Sequence, residues 1–138
     1  MRADAGADEI RRLLTDPNPA VEDATNALAA AIRNGRTVRG SGRASVRFAI
    51  PAAGARAVAS LRSALLDVRR QVAAVTTDRR DAQQQVLAAL ALLDASLALF
   101  ARSLGTTGNA RMATLAHAAE AERTRAEAAL TAAIRGLG

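Results

Sequence analysis

Apolar side chains recur along the second half of this chain at two regular intervals. Val58, Leu61, Leu65, Val68, Val72 and Val75 follow a 3,4,3,4,3 spacing, and Val86, Leu90, Leu93, Leu97, Phe100 and Leu104 follow 4,3,4,3,4. Alternating steps of three and four keep every member on one narrow helical stripe, so each set predicts an α-helix packing coiled-coil fashion against another rod. Leu92 and Leu99 fall opposite the second stripe, and a helix apolar on two sides belongs at the centre of a bundle or against another subunit. Between the stripes, residues 76–85 are polar and contain neither Gly nor Pro. Two geometries fit: a single helix over 52–104, about 80 Å long at 1.5 Å per residue, or an antiparallel hairpin reversing near Thr76 to Asp78. The β-branched run Val75-Thr76-Thr77 followed by Asp78, a good N-cap residue, favours the hairpin.

The flanking segments are also helical. Ile10, Leu13 and Leu14 predict a short helix ended by Asp16-Pro17-Asn18-Pro19. Asn18 then caps a second helix with Pro19 at its first position. Val21, Ala24, Leu28, Ala31 and Ile32 carry that helix over 19–34, to a left-handed stop at Gly35. Near the other terminus, Gly105-Thr106-Thr107-Gly108-Asn109 ends one helix. A last one follows with Met112, Leu115, Ala119, Ala126, Leu130, Ala133, Ile134 and Leu137 on one side. Arg123 falls inside that stripe, its long stem covering apolar surface while its head reaches water, or else marking a polar layer that sets register.

The period changes between Arg36 and Ile50. Val46, Phe48 and Ile50 alternate with Ser45, Arg47 and Ala49, and Gly40-Ser41-Gly42 is able to turn the chain, so a small β-hairpin or extended arm is predicted there. The stretch Ser45 to Pro51 resembles the strand and helix start of ribbon-helix-helix DNA binders, but the short helix, turn and second helix expected next are missing. The stretch Asp16 to Leu28 is similar to the helix start of a HEAT repeat. It has no second copy, and solenoids need stacked repeats.

Composition sharpens this picture. Ala occurs 37 times, all 19 basic residues are Arg, and Cys, Trp and Tyr are absent. Ala is the strongest helix former, so closely packed helices follow and an all-β domain does not. The expectation is one all-α helical bundle over 1–138, with three long or medium helices plus shorter N-terminal ones. Its parts are short helices in 1–35, an Arg/Gly-rich linker or arm at 36–50, and a coiled-coil-like core at 51–138. The acidic N-terminus (Asp4, Asp8, Glu9) does not read as a secretory signal, and the 16-residue apolar run from Val86 to Ala101, interrupted by Asp94, is shorter than the roughly 20 residues a spanning helix needs. A cytoplasmic location is the expectation, with no transmembrane segment.

Charge is unevenly placed. Residues 1–23 hold three Arg and six acids (−3), residues 24–66 seven Arg and no acid (+7), and residues 67–138 nine Arg and seven acids (+2). Arg33, Arg36, Arg39, Arg43 and Arg47 crowd the middle block and are the candidate contacts for phosphates, which guanidinium groups grip in bidentate fashion. A solvated loop produced by Arg-biased composition is the competing reading.

Candidate chemistry is sparse. His117 has Glu120 one turn on, but a di-iron bundle needs two Glu-x-x-His motifs and two further Glu, and the chain has five Glu in all. Asp94, at the flank of its stripe, reads as a boundary carboxylate. No nucleotide-binding glycine pattern or nucleophile triad is legible. No catalytic residue, metal site or cofactor is therefore expected. The expected function is a non-enzymatic interaction or scaffold protein that self-associates or docks partner helices through its apolar stripes (Val58, Leu61, Leu65, Val68, Val72, Val75, Val86, Leu90, Leu92, Leu93, Leu97, Leu99, Phe100, Leu104). The alternative is a basic DNA-binding or architectural protein contacting nucleic acid or another polyanion through the 33–47 segment.

Overall fold

The structure, a computed structural model, describes residues 5–39, 43–105 and 109–138, and the side chains of 5–31, 53–103 and 114–138. In chain order the helices are α1 (Ala5–Thr15), α2 (Pro19–Arg39), α3 (Arg43–Ala73), α4 (Arg80–Gly105) and α5 (Asn109–Gly136). The four long helices form a bundle in which α2 packs on α3, α3 on α4 and α4 on α5, with no strand among the described residues. Short connections make such sequence neighbours antiparallel.

The start of α2 and the corner between α3 and α4 each have an identifiable cause. Asn18 caps α2: its Oδ1 accepts from Val21 N at 3.2 Å, and its carbonyl receives Glu22 N at 2.9 Å. The reversal between α3 and α4 settles the choice between one helix and two, and it does so without glycine. Gln83, from the first turn of α4, donates its Nε2 to the carbonyls of Val72 and Val75, each at 2.8 Å. The Val75 carbonyl lies past the end of α3, and the Val72 carbonyl, which also receives Val75 N at 3.2 Å, gains a second donor from Gln83. Thr77 tightens the corner, its Oγ1 accepting from Arg79 N at 3.0 Å. Both Thr77 and Gln83 are buried.

Residues 36–50 depart from the hairpin or arm their alternation suggests. Residues 36–39 complete α2 and residues 43–50 open α3, while 40–42 lie outside the described residues. Period two over so short a window is ambiguous, because Val46 and Ile50 are also one helical turn apart. Gly35 does not stop α2; glycine permits a left-handed residue without requiring one, and inside a helix it costs about 1 kcal/mol relative to Ala. Pro51 lies within α3, where a proline forgoes the bond to the carbonyl of residue 47 and its ring crowds that carbonyl.

Two cores result. At the end where α3 turns into α4, α1 lies across the bundle. There Ala7 and Ile10 join Val68, Val72, Ala82, Val86, Leu90, Ala133 and Leu137. Gly6 brings α1 against the corner so closely that a Cβ there would overlap the Thr76 carbonyl oxygen. Towards the middle, Ala24 of α2 meets Val58, Leu61 and Leu65 of α3 and Leu97 of α4, with Val21, Leu28, Leu93 and Phe100 packed around them.

Helix α4 is central and has two unlike seams. Towards α3 it presents Val86, Leu90 and Leu97. The other seam is a strict heptad of small residues, Ala82, Ala89, Ser96 and Ser103, all buried. It faces α5, which buries its own heptad of Ala119, Ala126 and Ala133. A Cβ on Gly136 would lie 3.6 Å from that of Ala82. Small residues on both sides let two backbones approach, and α4 with α5 is the most extensive helix pairing in the bundle. The two serines return their hydroxyls to their own helix, donating to the carbonyls of Leu93 and Phe100 at 2.7 and 2.6 Å.

Candidate functional site

The stripes expected to serve as interaction surfaces are largely enclosed within the molecule. Val58, Leu61, Leu65, Val68, Val72, Val86, Leu90 and Leu97 are buried, and Val75, Leu93 and Phe100 are partly so. The side chain of Leu104 lies outside the described residues. At the buried positions, the neighbouring helices that a heptad stripe calls for are supplied by the chain itself.

The outer face of α4 is different. Asp81, Gln85, Ala88, Leu92, Ala95, Leu99 and Arg102 follow a third heptad, 4,3,4,3,4,3, on the side turned away from α3. Leu92 is 38% exposed and Leu99 half-buried, with Ala88 and Ala95 exposed beside them. Five of these positions, from Gln85 to Leu99, carry no charge; the two ends carry opposite charges. The charge nearest in sequence, Asp94, points elsewhere. It accepts from Arg62 of α3 at 2.9 Å (Nε) and 3.2 Å (Nη2), a bidentate clasp whose hydrogen bond and charge raise the Arg62 pKa above its ordinary value. Helix α4 is long and apolar enough to cross a membrane by length and composition: an 18-residue window within Arg80–Ser103 has a mean hydropathy of 1.7. A third of that window (33%) is buried, in the two seams inside the bundle. The other exposed large hydrophobic among the described residues, Leu66 on α3, stands among Arg62, Asp67 and Arg70, and single exposed leucines are ordinary.

The remaining candidates do not converge on one chemistry. Arg33, Arg36 and Arg39 belong to the last turns of α2, and Arg43 and Arg47 to the first turns of α3; their side chains lie outside the described residues. His117 is exposed on α5. Glu120 and Glu127 both pair with Arg123, whose side chain is half exposed. The Arg123 hydrogen bond lowers the Glu120 pKa below the usual glutamate range. Among the described residues no three His, Asp or Glu side chains come together in a metal-binding group. An open groove of about 530 Å³ between α1 and α3 is lined by Gly6, Leu13, Ala74 and Val75 with Glu9 at its edge, and a second of about 450 Å³ by Ala20, Ser60, Ser63 and Asp67. Each has a single titratable side chain, so neither arranges an acid and a base on a common substrate. The chain matches no protein-family model, no curated protein and no solved structure.

Two features escaped the reading of the sequence. Gln83 is indistinguishable there from Gln84 and Gln85, and its role appears only once the chain has reversed. The Ala and Ser heptads carry a faint signal, a seven-residue repeat of small side chains, submerged in a chain rich in Ala throughout.

Proposed function

We propose that the protein is a non-enzymatic helix-docking module, and that the surface it docks with is the outer face of α4 around Leu92 and Leu99. One observation carries this reading. The central helix keeps an uncharged, heptad-spaced apolar row on its outside after both of its inner seams are filled. A surface helix normally turns charged and polar residues outward, and an apolar row left there favours a further rod.

The test exploits a chain without cysteine. A Leu92→Cys variant, produced in cells and probed with a maleimide in concentrated extract, is expected to label at least about tenfold more slowly than the same variant purified and diluted, because a covered side chain is withdrawn from the reagent. Equal labelling in the two settings overturns the reading.

A second reading rests on the block of seven Arg with no acid over residues 24–66. In it, Arg33, Arg36, Arg39, Arg43 and Arg47, carried where α2 and α3 adjoin, contact phosphates of a nucleic acid. A gel shift at two salt concentrations tests it, since phosphate contacts lose affinity steeply as salt rises. Absence of binding at low salt dismisses it.

A further inference from the structure

We infer that the partner of the α4 face is a second copy of this chain, with the two α4 helices antiparallel and Leu92 of each set against the partner's Ala95. This rests on the helix-docking reading above and adds the occupant and its register.

The argument starts from the order of residues along the face: Asp81, Gln85, Ala88, Leu92, Ala95, Leu99, Arg102. Two copies of a heptad row laid antiparallel meet in layers that pair one heptad position with the other. In one such register Leu92 faces the partner's Ala95, Leu99 faces the partner's Ala88, and Arg102 faces the partner's Gln85. Every leucine then meets an alanine, the large-against-small alternation by which packed helices interdigitate. By two-fold symmetry each contact occurs twice, so the row is self-complementary, as an isologous interface requires. The charges agree with the packing. Arg102 also comes within about one helical turn, some 6 Å, of the partner's Asp81, at 1.5 Å rise per residue and within reach of a long Arg side chain. Shifting the helices by one heptad sets Leu99 against the partner's Asp81 in one direction and Leu92 against the partner's Arg102 in the other, and either places a charge against a leucine, which is unfavourable. A parallel pairing aligns Asp81 with Asp81 and Arg102 with Arg102, so both ends repel. The face therefore discriminates for one geometry. A second copy also needs no partner of unknown sequence to supply the matching charges. A single helix crossing buries less than the roughly 1,200 to 2,000 Å² of stable complexes, so a concentration-dependent dimer is the expected form.

Sedimentation of the purified full chain from about 1 µM to about 1 mM tests this, because a single-crossing interface dissociates within such a range. The expected result is a monomer–dimer equilibrium. Leu92→Asp should raise its dissociation constant at least about tenfold while leaving the circular dichroism melt in place, because Leu92 is exposed in the monomer. Arg102→Asp should weaken the dimer, and Asp81→Arg combined with Arg102→Asp should restore it. Oxidation of a mixture of Leu92→Cys and Ala95→Cys chains should give the mixed disulfide in excess over either self-pair, since the bond forms only between Cα atoms less than about 7 Å apart. A strict monomer at every concentration overturns the second-copy inference. If the position-92 thiol is nevertheless shielded in extract, the docking reading survives without it. A dimer indifferent to Leu92→Asp also overturns the inference. So does pelleting with anionic vesicles that Leu92→Asp abolishes in a chain that never dimerises, which would place the face on lipid.

Discussion

Helix α4 is held from two sides by opposite means, and the contrast shows what this fold depends on. Against α3 the seam is made of Val86, Leu90 and Leu97 meeting Val58, Leu61, Leu65, Val68 and Val72. Large branched side chains fill the gap, and most of the stabilisation is apolar area removed from water. Against α5 the seam is Ala82, Ala89, Ser96 and Ser103 meeting Ala119, Ala126 and Ala133. Little side-chain area is available there, and close backbone approach supplies dispersion contacts in its place. One seam is therefore vulnerable to removing atoms and the other to adding them.

The largest effects break that contrast directly. Leu90→Ala, at a site 2% exposed, is expected to destabilise the chain by about 2–5 kcal/mol through lost burial and the cavity left behind. Ala126→Leu, at a site 1% exposed, adds volume where the backbones are closest and is expected to cost about 1–3 kcal/mol. Urea midpoints measure both. If Ala126→Leu proves neutral or stabilising, the α4–α5 seam is not closely packed and the contrast fails.

That asymmetry also explains how much of the molecule was legible beforehand. The α3–α4 seam stood out because Leu and Val at three and four spacing have few other uses in a polar background. The α4–α5 seam did not, because buried Ala89 and exposed Ala88 are the same letter and nothing local distinguishes them. Ser96 and Ser103 even appeared polar, whereas their hydroxyls are satisfied within α4 and leave a small, smooth flank. The caps were legible where chemistry is local, as at Asn18, and illegible where it is tertiary, as with Gln83. Of the candidate surface, Leu92 and Leu99 were marked by their place opposite the main stripe. That the other stripe residues would be enclosed by the chain itself depended on the reversal, which periodicity alone left open.

An intermediate effect sharpens the comparison at the corner both seams share. Gln83→Ala removes the donor that serves the Val72 and Val75 carbonyls. Because the buried Val72 carbonyl keeps its bond from Val75 N and the Val75 carbonyl is only partly buried, the expected loss is about 1 kcal/mol, the low end of the range for a carbonyl that loses a partner. Gln83→Glu keeps the size but substitutes an acceptor for the donor, and should be at least as damaging at neutral pH. Amide hydrogen exchange over residues 71–77 locates the change: faster exchange confined to the corner is expected, and uniform acceleration across the bundle counts against a capping role.

The smallest effects separate ion pairs between helices from those within one. Arg62 and Asp94 join α3 to α4, but with side chains 43% and 28% exposed the pair is expected to contribute about 0.5–1 kcal/mol in a double-mutant cycle. Arg123 with Glu120 and Glu127 stays on α5 and joins nothing across the bundle. The Glu120 carboxyl, held down by the Arg123 hydrogen bond, titrates below an ordinary glutamate. A depressed folded value means that the pair's contribution is present above the unfolded glutamate pKa, about 4.3, and is lost as pH falls through the folded value. Because the carboxyl is largely exposed, that loss should be too small to move the thermal midpoint visibly. It should still appear in the titration itself: a carbon-detected NMR midpoint for Glu120 below the ordinary glutamate range is expected, and Arg123→Ala should return it to that range. A Glu120 midpoint unmoved by Arg123→Ala would mean that the pair exerts no hold on the carboxyl, and a melting curve that shifts with Glu120 protonation would mean that α5 is held to the bundle by charge as well as by its alanines.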